Sequence, residues 1–241
     1  MSGPRAALSF LTPLGGAAPP EPEALGWFPV VGAAMGAVLG LLWWATGHAW
    51  TAPVGAVIVV AADLGLTGLL HLDGLVDAAD GLLPHLERER RLAVMREPSV
   101  GAFGITVAGV TLVARVVALA SIRPSVLLLT GIWCGSRTVM AVAPSCLVYA
   151  RSDTGGLASA FLPGRGRVGL IAAAVGGAGL FSATMLWRPL GGAVAALSGT
   201  AAAVVVLWFA RRRIGGFTGD VLGAAGVAFE TVALVVAAAR W

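Results

Sequence analysis

The sequence predicts an all-α, polytopic membrane bundle of about seven transmembrane helices, and three observations carry that prediction. Apolar residues make up 58% of the 241-residue chain and charged residues only 12%, about half the charged share of a soluble domain. Seven stretches approach the roughly 20 apolar residues that a bilayer crossing requires. The arginines collect on one side of those stretches, as the positive-inside rule describes.

The first 26 residues are rich in proline and glycine and lack the long apolar run of a secretory signal. Within them, Leu8–Leu14 is too short to cross and suits the interface, so residues 1–26 are expected to be a cytoplasmic or interfacial segment. The expected spans are Trp27–Gly47, Pro53–Leu70, Phe103–Ile122, Ser125–Tyr149, Val168–Trp187, Leu190–Ala210 and Val221–Ala239. The sixth follows the fifth so closely that the two must form a tight hairpin. Trp27, Trp50, Trp187, Trp208 and Trp241 fall near span ends, where indoles favour the headgroup layer. The 34 glycines suit close helix packing in lipid. Cys134 and Cys146 share one apolar run without metal-ligand spacing, and are expected to be small core residues. The whole of 1–241 reads as one membrane-embedded catalytic domain.

Every basic residue is an arginine, sixteen in all. With a cytoplasmic N-terminus, the inside segments hold Arg5, Arg88, Arg90, Arg91, Arg96, Arg151, Arg165, Arg167, Arg211, Arg212 and Arg213. The outside segments hold Arg123, Arg188 and Arg240. That asymmetry favours seven spans and places His71–Val100, Arg151–Arg167 and Arg211–Asp220 together on the cytoplasmic side. A net charge of +4 would suggest nucleic acid for a soluble chain; beside apolar spans it suggests the cytoplasmic leaflet, and no nucleic acid is expected.

The chemistry concentrates in those segments. In His71-Leu-Asp-Gly-Leu-Val-Asp-Ala-Ala-Asp-Gly81, Asp73, Asp77 and Asp80 stand at i, i+4 and i+7, within an arc of roughly 60° on a helix. Like charges on one face repel unless a cation compensates, and magnesium characteristically bridges carboxylates to substrate phosphates. The three are therefore the expected metal ligands, with Mg2+ as cofactor. His71 is a candidate to orient substrate or move a proton, and Gly74 and Gly81 to admit a ligand or a neighbouring helix. In the basic strip that follows, Arg96 is the expected phosphate contact, since a guanidinium fork matches phosphate oxygens. In Gly215-Gly-Phe-Thr-Gly-Asp-Val-Leu-Gly223, Gly216, Thr218 and Gly219 could cradle a phosphate at a helix N-terminus. Asp220 could ligate the metal or cap the helix. Arg115, Arg137, Glu230 and Asp63 lie within spans, where charges are costly; Arg137 and Glu230 are expected to pair, and Asp63 to bond a neighbouring helix.

With these residues in hand, the chain resembles the cobalamin synthase family over nearly its whole length. The resemblance rests on Ala7–Thr12, Trp27–Gly32, His71–Gly81, Met95-Arg96, Gly101–Gly104, Ser136-Arg137, Tyr149–Arg151, and Gly215–Ala224 followed by Glu230. Glu97 stands where the family usually has aspartate, and Pro13 where an arginine is common. The resemblance implies a magnesium-dependent, multi-pass transferase of the cytoplasmic membrane, with its active site facing the cytoplasm. It would join adenosylcobinamide-GDP to α-ribazole or its 5′-phosphate and release GMP. Asp73, Asp77 and Asp80 would hold the metal, Arg96 and Arg151 would contact phosphate, and Arg137 and Glu230 would border the substrate. Expected partners are those two small molecules and the bilayer; self-association, or docking with other cobalamin-assembly enzymes, is left open. A CDP-alcohol phosphotransferase or a membrane prenyltransferase would also set aspartates over a diphosphate, but the Asp-Gly-x-x-Ala-Arg opening of the first and the paired aspartate motifs of the second are missing. A transporter could line a path with the in-span charges, yet would need neither the aspartate cluster nor the Gly-rich loop.

Overall fold

A computed structural model describes residues 2–16, 18–19, 21–151 and 165–240. Most of the segment expected to face the cytoplasm between Arg151 and Arg167 thus lies outside the described residues. Among those described, the chain forms α-helices and no strand: α1 (Ser2–Leu11), α2 (Phe28–Ala49), α3 (Ala52–Leu66), α4 (Leu70–Leu82), α5 (Arg88–Val94), α6 (Ala102–Ser121), α7 (Val126–Cys146), α8 (Arg165–Trp187), α9 (Pro189–Ile214) and α10 (Gly219–Ala237). Six elements are long and apolar enough to cross a bilayer alone: α2 with the turn before it, α6, α7, α8, α9 and α10. The protein is a multi-pass membrane bundle.

The second expected span departs from a straight rod. Its helix stops at Leu66, and α4 leaves at 88° after a break at Thr67–Leu69. Gly68 and Leu69 both take left-handed backbone angles, φ 57° and 64°. For glycine this is free, whereas a side chain in that region costs roughly 1–2 kcal/mol. The α3–α4 pair supplies a seventh crossing only if counted as one bent unit. At 13 residues α4 is too short to cross by itself, and it lies outside the six spanning helices.

α7 and α10 form the centre, where most of their residues are buried. α7 packs on α2, α8 and α10, and α10 packs on α4, α6, α7 and α9. α2 meets α7 through Gly32, Gly36 and Gly40, where an added Cβ would come within 2.5, 2.2 and 2.7 Å of Trp133, Leu129 and Val126. Such small-residue seams let backbones touch where lipid offers no hydrophobic drive for association. The outer faces expose Val38 and Leu41 of α2, Ile105 and Val113 of α6, and Leu197 and Val205 of α9, as a hydrocarbon solvent requires. Only Arg188 separates α8 from α9, which gives the tight hairpin the sequence demanded.

At one end of the bundle two loops zip together. Phe217 donates its N–H to the Val148 carbonyl and Ala150 to the Phe217 carbonyl, both at 2.9 Å. This joins the chain after α7 to the chain before α10 and fixes where Arg151 and Thr218 emerge.

Candidate active site

A pocket of about 190 Å³ opens at this end, lined by His71 and Asp73 of α4, Gly219, Asp220 and Gly223 of α10, and Arg151. Its apolar wall is Phe10 of α1, Leu70, Met140 and Tyr149. Three segments far apart in sequence therefore converge on it. The first residues of α10, Gly219 and Asp220, border it. Thr218 caps that helix, its hydroxyl accepting from the Val221 N–H at 3.3 Å and donating to Asp220 at 3.2 Å. The capping residue is thus Thr218, and the Asp220 side chain is left to face the pocket. A helix N-terminus favours an anion.

Arg151 donates from Nη2 to the Asp220 carboxylate at 2.7 Å and to the Met95 carbonyl at 3.3 Å, while its Nε has no partner. Facing this one guanidinium are three carboxylates, those of Asp73, Asp77 and Asp220. Partial burial first, and then the carboxylates of Asp220 and Asp73, push Asp77 up to about 7 against the pull of Arg151. A proton held that firmly marks a place where a cation would be welcome. Among the described residues, no three acidic, histidine or cysteine side chains converge tightly enough to cage a metal.

Asp80 behaves differently from its neighbours. Expected beside Asp73 and Asp77 as a ligand, it instead accepts from the Gly101 N–H at 2.7 Å and the Gly104 N–H at 2.9 Å. It thereby binds the start of α6 to α4. At both glycines an added Cβ would sit within 2.5 Å of that carboxylate, so a side chain at either would expel it.

Several of the candidate glycines make close packing contacts. Gly74 admits the Asp220 backbone, which a Cβ would meet at 2.9 Å, and Gly81 admits the Met95 side chain at 2.5 Å. Gly216 lies against the Val148 carbonyl, which a Cβ would meet at 2.0 Å. The arginine strip is largely spent on helix ends. Arg91 donates to the carbonyls of Gly81 and Leu82 at 3.0 and 2.7 Å, and Arg88 to those of Ile214 and Ala150 at 2.9 and 3.1 Å. Those of Gly81, Leu82 and Ile214 are the orphan carbonyls that a helix C-terminus leaves, and that of Ala150 belongs to the loop after α7. Arg96 is exposed and does not line the pocket; it follows Met95, whose carbonyl Arg151 uses. Arg90 reaches the longer Glu97 at 2.6 Å on the surface.

Behind the pocket, inside the bundle, lies a second charged group. Glu230 pairs with both Arg137 and Arg115, and Arg115 also donates to Asp63 at 2.8 Å. Trp133 Nε1 donates to the other Asp63 oxygen at 2.8 Å, and the Ser136 hydroxyl to Glu230 at 2.8 Å. The expected Arg137–Glu230 pair is therefore present but belongs to a four-charge network joining α3, α6, α7 and α10. Glu230 and Arg137 stand behind the pocket wall and do not line it. Sequence reasoning missed Phe10, Leu70, Met140, Tyr149 and Gly223 as pocket residues. Phe10, Tyr149 and Gly223 fall within the segments that carried the family resemblance, which was the available signal; Leu70 and Met140 gave none.

Fold and pocket together define a polytopic helical membrane protein with a pocket of acidic and basic side chains at one end of its bundle. The chain belongs to the cobalamin-5-phosphate synthase family, whose pattern matches residues 3–238. Among its relatives, the adenosylcobinamide-GDP ribazoletransferase of Chlorobaculum parvum is 35% identical over 91% of this chain and 86% of the relative. The enzyme of that name from Chlorobaculum tepidum is 36% identical over 90% and 85%. That from Bradyrhizobium diazoefficiens is 35% identical over 98% and 92%. No solved structure matches the chain.

Proposed function

We propose that this chain is a magnesium-dependent transferase that joins adenosylcobinamide-GDP to α-ribazole or its 5′-phosphate, giving adenosylcobalamin or its 5′-phosphate and GMP. The observation that carries this is the convergence of the His71–Gly81, Tyr149–Arg151 and Gly215–Ala224 segments on one pocket. These are the segments on which the family resemblance rests. A ribose hydroxyl oxygen forms the new bond to phosphorus, the bond to the leaving GMP oxygen breaks, and the hydroxyl proton is given up. Negative charge grows on the phosphoryl oxygens and on GMP. The Arg151 guanidinium and the amides at the start of α10 offset that charge. Asp220 orients Arg151, and Thr218 fixes the first turn that aims the amides.

The donor set suits magnesium, a hard cation that takes one or two protein carboxylates and completes its shell with water and substrate phosphates. One or two of the Asp73, Asp77 and Asp220 carboxylates would hold it, and it would supply Lewis-acid neutralisation of the diphosphate. Asp80 serves by holding α6 against α4. The site faces the cytoplasm of the inner membrane, with the N-terminus on the same side; the arginine distribution supports this orientation. After replacement of Cys134 and Cys146, a cysteine at Arg90 should be shielded from an impermeant thiol reagent in intact cells, and one at Arg123 labelled. The reverse pattern would invert the topology.

The direct test is incubation of purified protein with adenosylcobinamide-GDP, α-ribazole and magnesium, scored by GMP release. Release that requires all three supports the assignment. No release by a folded preparation, with either form of ribazole, defeats it.

A further inference from the structure

Two buried polar groups beside the pocket lack partners, and both residues border the same small void. His71 is 4% exposed, and neither Nδ1 nor Nε2 has a hydrogen-bond partner. Arg137 is 1% exposed; its Nη1 serves Glu230 and Ser136, but its Nε has no acceptor. Both line an internal space of about 10 Å³, together with Asp63, Thr67, Arg115 and Glu230. That is about the smallest volume that admits one water, and a buried water needs two to four polar partners. His71 also lines the 190 Å³ pocket, so its ring stands in the wall between the two spaces.

A neutral imidazole has one donor and one acceptor nitrogen, and a buried ring uses both. We infer that a single internal water fills the void and bonds His71 to Arg137, and that the remaining ring nitrogen of His71 is the contact for an uncharged hydrogen-bonding group of the pocket's ligand. The second half rests on the pocket being the nucleoside site of the proposed reaction. The partition of the lining supports it. Asp73, Asp220 and Arg151 offer charge to phosphate and metal, whereas His71 stands beside Leu70 and shares the pocket wall with Met140, Tyr149 and Phe10. A hydroxyl or an aromatic ring nitrogen is the group that such a neighbourhood accepts without a buried charge. Through the water, the ring's orientation is set by the four-charge network, so the network acts on the pocket at a distance.

The test is calorimetric titration of α-ribazole into the purified protein with no corrinoid present, so that binding is read apart from turnover. His71→Phe keeps an aromatic ring and loses both nitrogens; affinity should fall about tenfold with the melting temperature retained. His71→Gln keeps a hydrogen-bonding head and should stay within about threefold of the parent. Should the phenylalanine variant not fold, the comparison of His71→Gln with His71→Leu decides in the same way. Equal affinity in all folded variants overturns the contact while leaving the proposed activity standing. A parent that binds no ribazole and releases no GMP overturns both. Independently, a map fine enough to show other internal waters should show one within hydrogen-bond distance of the His71 ring and Arg137 Nε. An empty void there overturns the water.

Discussion

The two charged regions of this protein lie side by side and follow opposite rules. Within the bundle, two carboxylates meet two guanidiniums: Asp63 and Glu230 against Arg115 and Arg137, every carboxylate oxygen accepting a hydrogen bond. At the bundle's end, the Asp73, Asp77 and Asp220 carboxylates repel one another, and Arg151 pairs with Asp220. The first set is closed, since its charge sums to zero and all four carboxylate oxygens are satisfied from within the bundle. The second is open, short of positive charge and next to a cavity. Charge balance therefore separates what holds the helices together from what is left open beside the cavity.

The sharpest way to break this comparison is to unbalance the interior. Glu230→Leu leaves two guanidiniums facing one carboxylate in a dry setting, and should cost about 3–5 kcal/mol in detergent unfolding experiments. Arg137→Leu should cost a similar amount. The double variant leaves Arg115 paired with Asp63 and should recover part of the loss; strictly additive losses would show that the two side chains do not interact.

At the open site the same kind of change should act on activity and spare stability. Asp73→Asn should lower turnover about 10²-fold or more and raise the magnesium concentration required. Its melting temperature should hold or rise, because one of three repelling carboxylates is gone. Normal turnover with unchanged magnesium dependence in both Asp73→Asn and Asp77→Asn would reduce the cluster to a solvated helix face.

Asp80 lies between the two regimes, a carboxylate of the motif that is spent on structure. Asp80→Asn keeps one acceptor oxygen for two amides and should destabilise by about 1–2 kcal/mol, on the scale of a lost helix cap. A turnover loss as large as that of Asp73→Asn, with unchanged melting, would return Asp80 to the metal site. The smallest effect belongs to Arg123→Gln, exposed at the other end of the bundle, where both melting and turnover should stay at parent values, within about 0.5 kcal/mol.

How much the sequence disclosed follows from the range of each interaction. The apolar runs, the arginine bias and the i, i+4, i+7 aspartates are local patterns, and the helical membrane class, the span order and the acidic helix could be read from them directly. The Arg137–Glu230 pair was also legible, because an in-span charge must find a partner. What stayed hidden depends on neighbours brought together through space. Nothing local shows that Asp80 will find amides 21 and 24 residues away, or that Arg88 and Arg91 will satisfy helix carbonyls in place of phosphate. Nor does hydropathy reveal the 88° corner after α3, since Thr67–Leu69 is as compatible with a helix as with a turn until α4 docks on α10. By itself the sequence determined which residues are charged and which segments are apolar, because solvent preference belongs to each side chain. Only the tertiary structure decided which carboxylates are satisfied and which remain open, because a hydrogen bond requires a partner within about 3 Å, and that distance is set by how the helices pack.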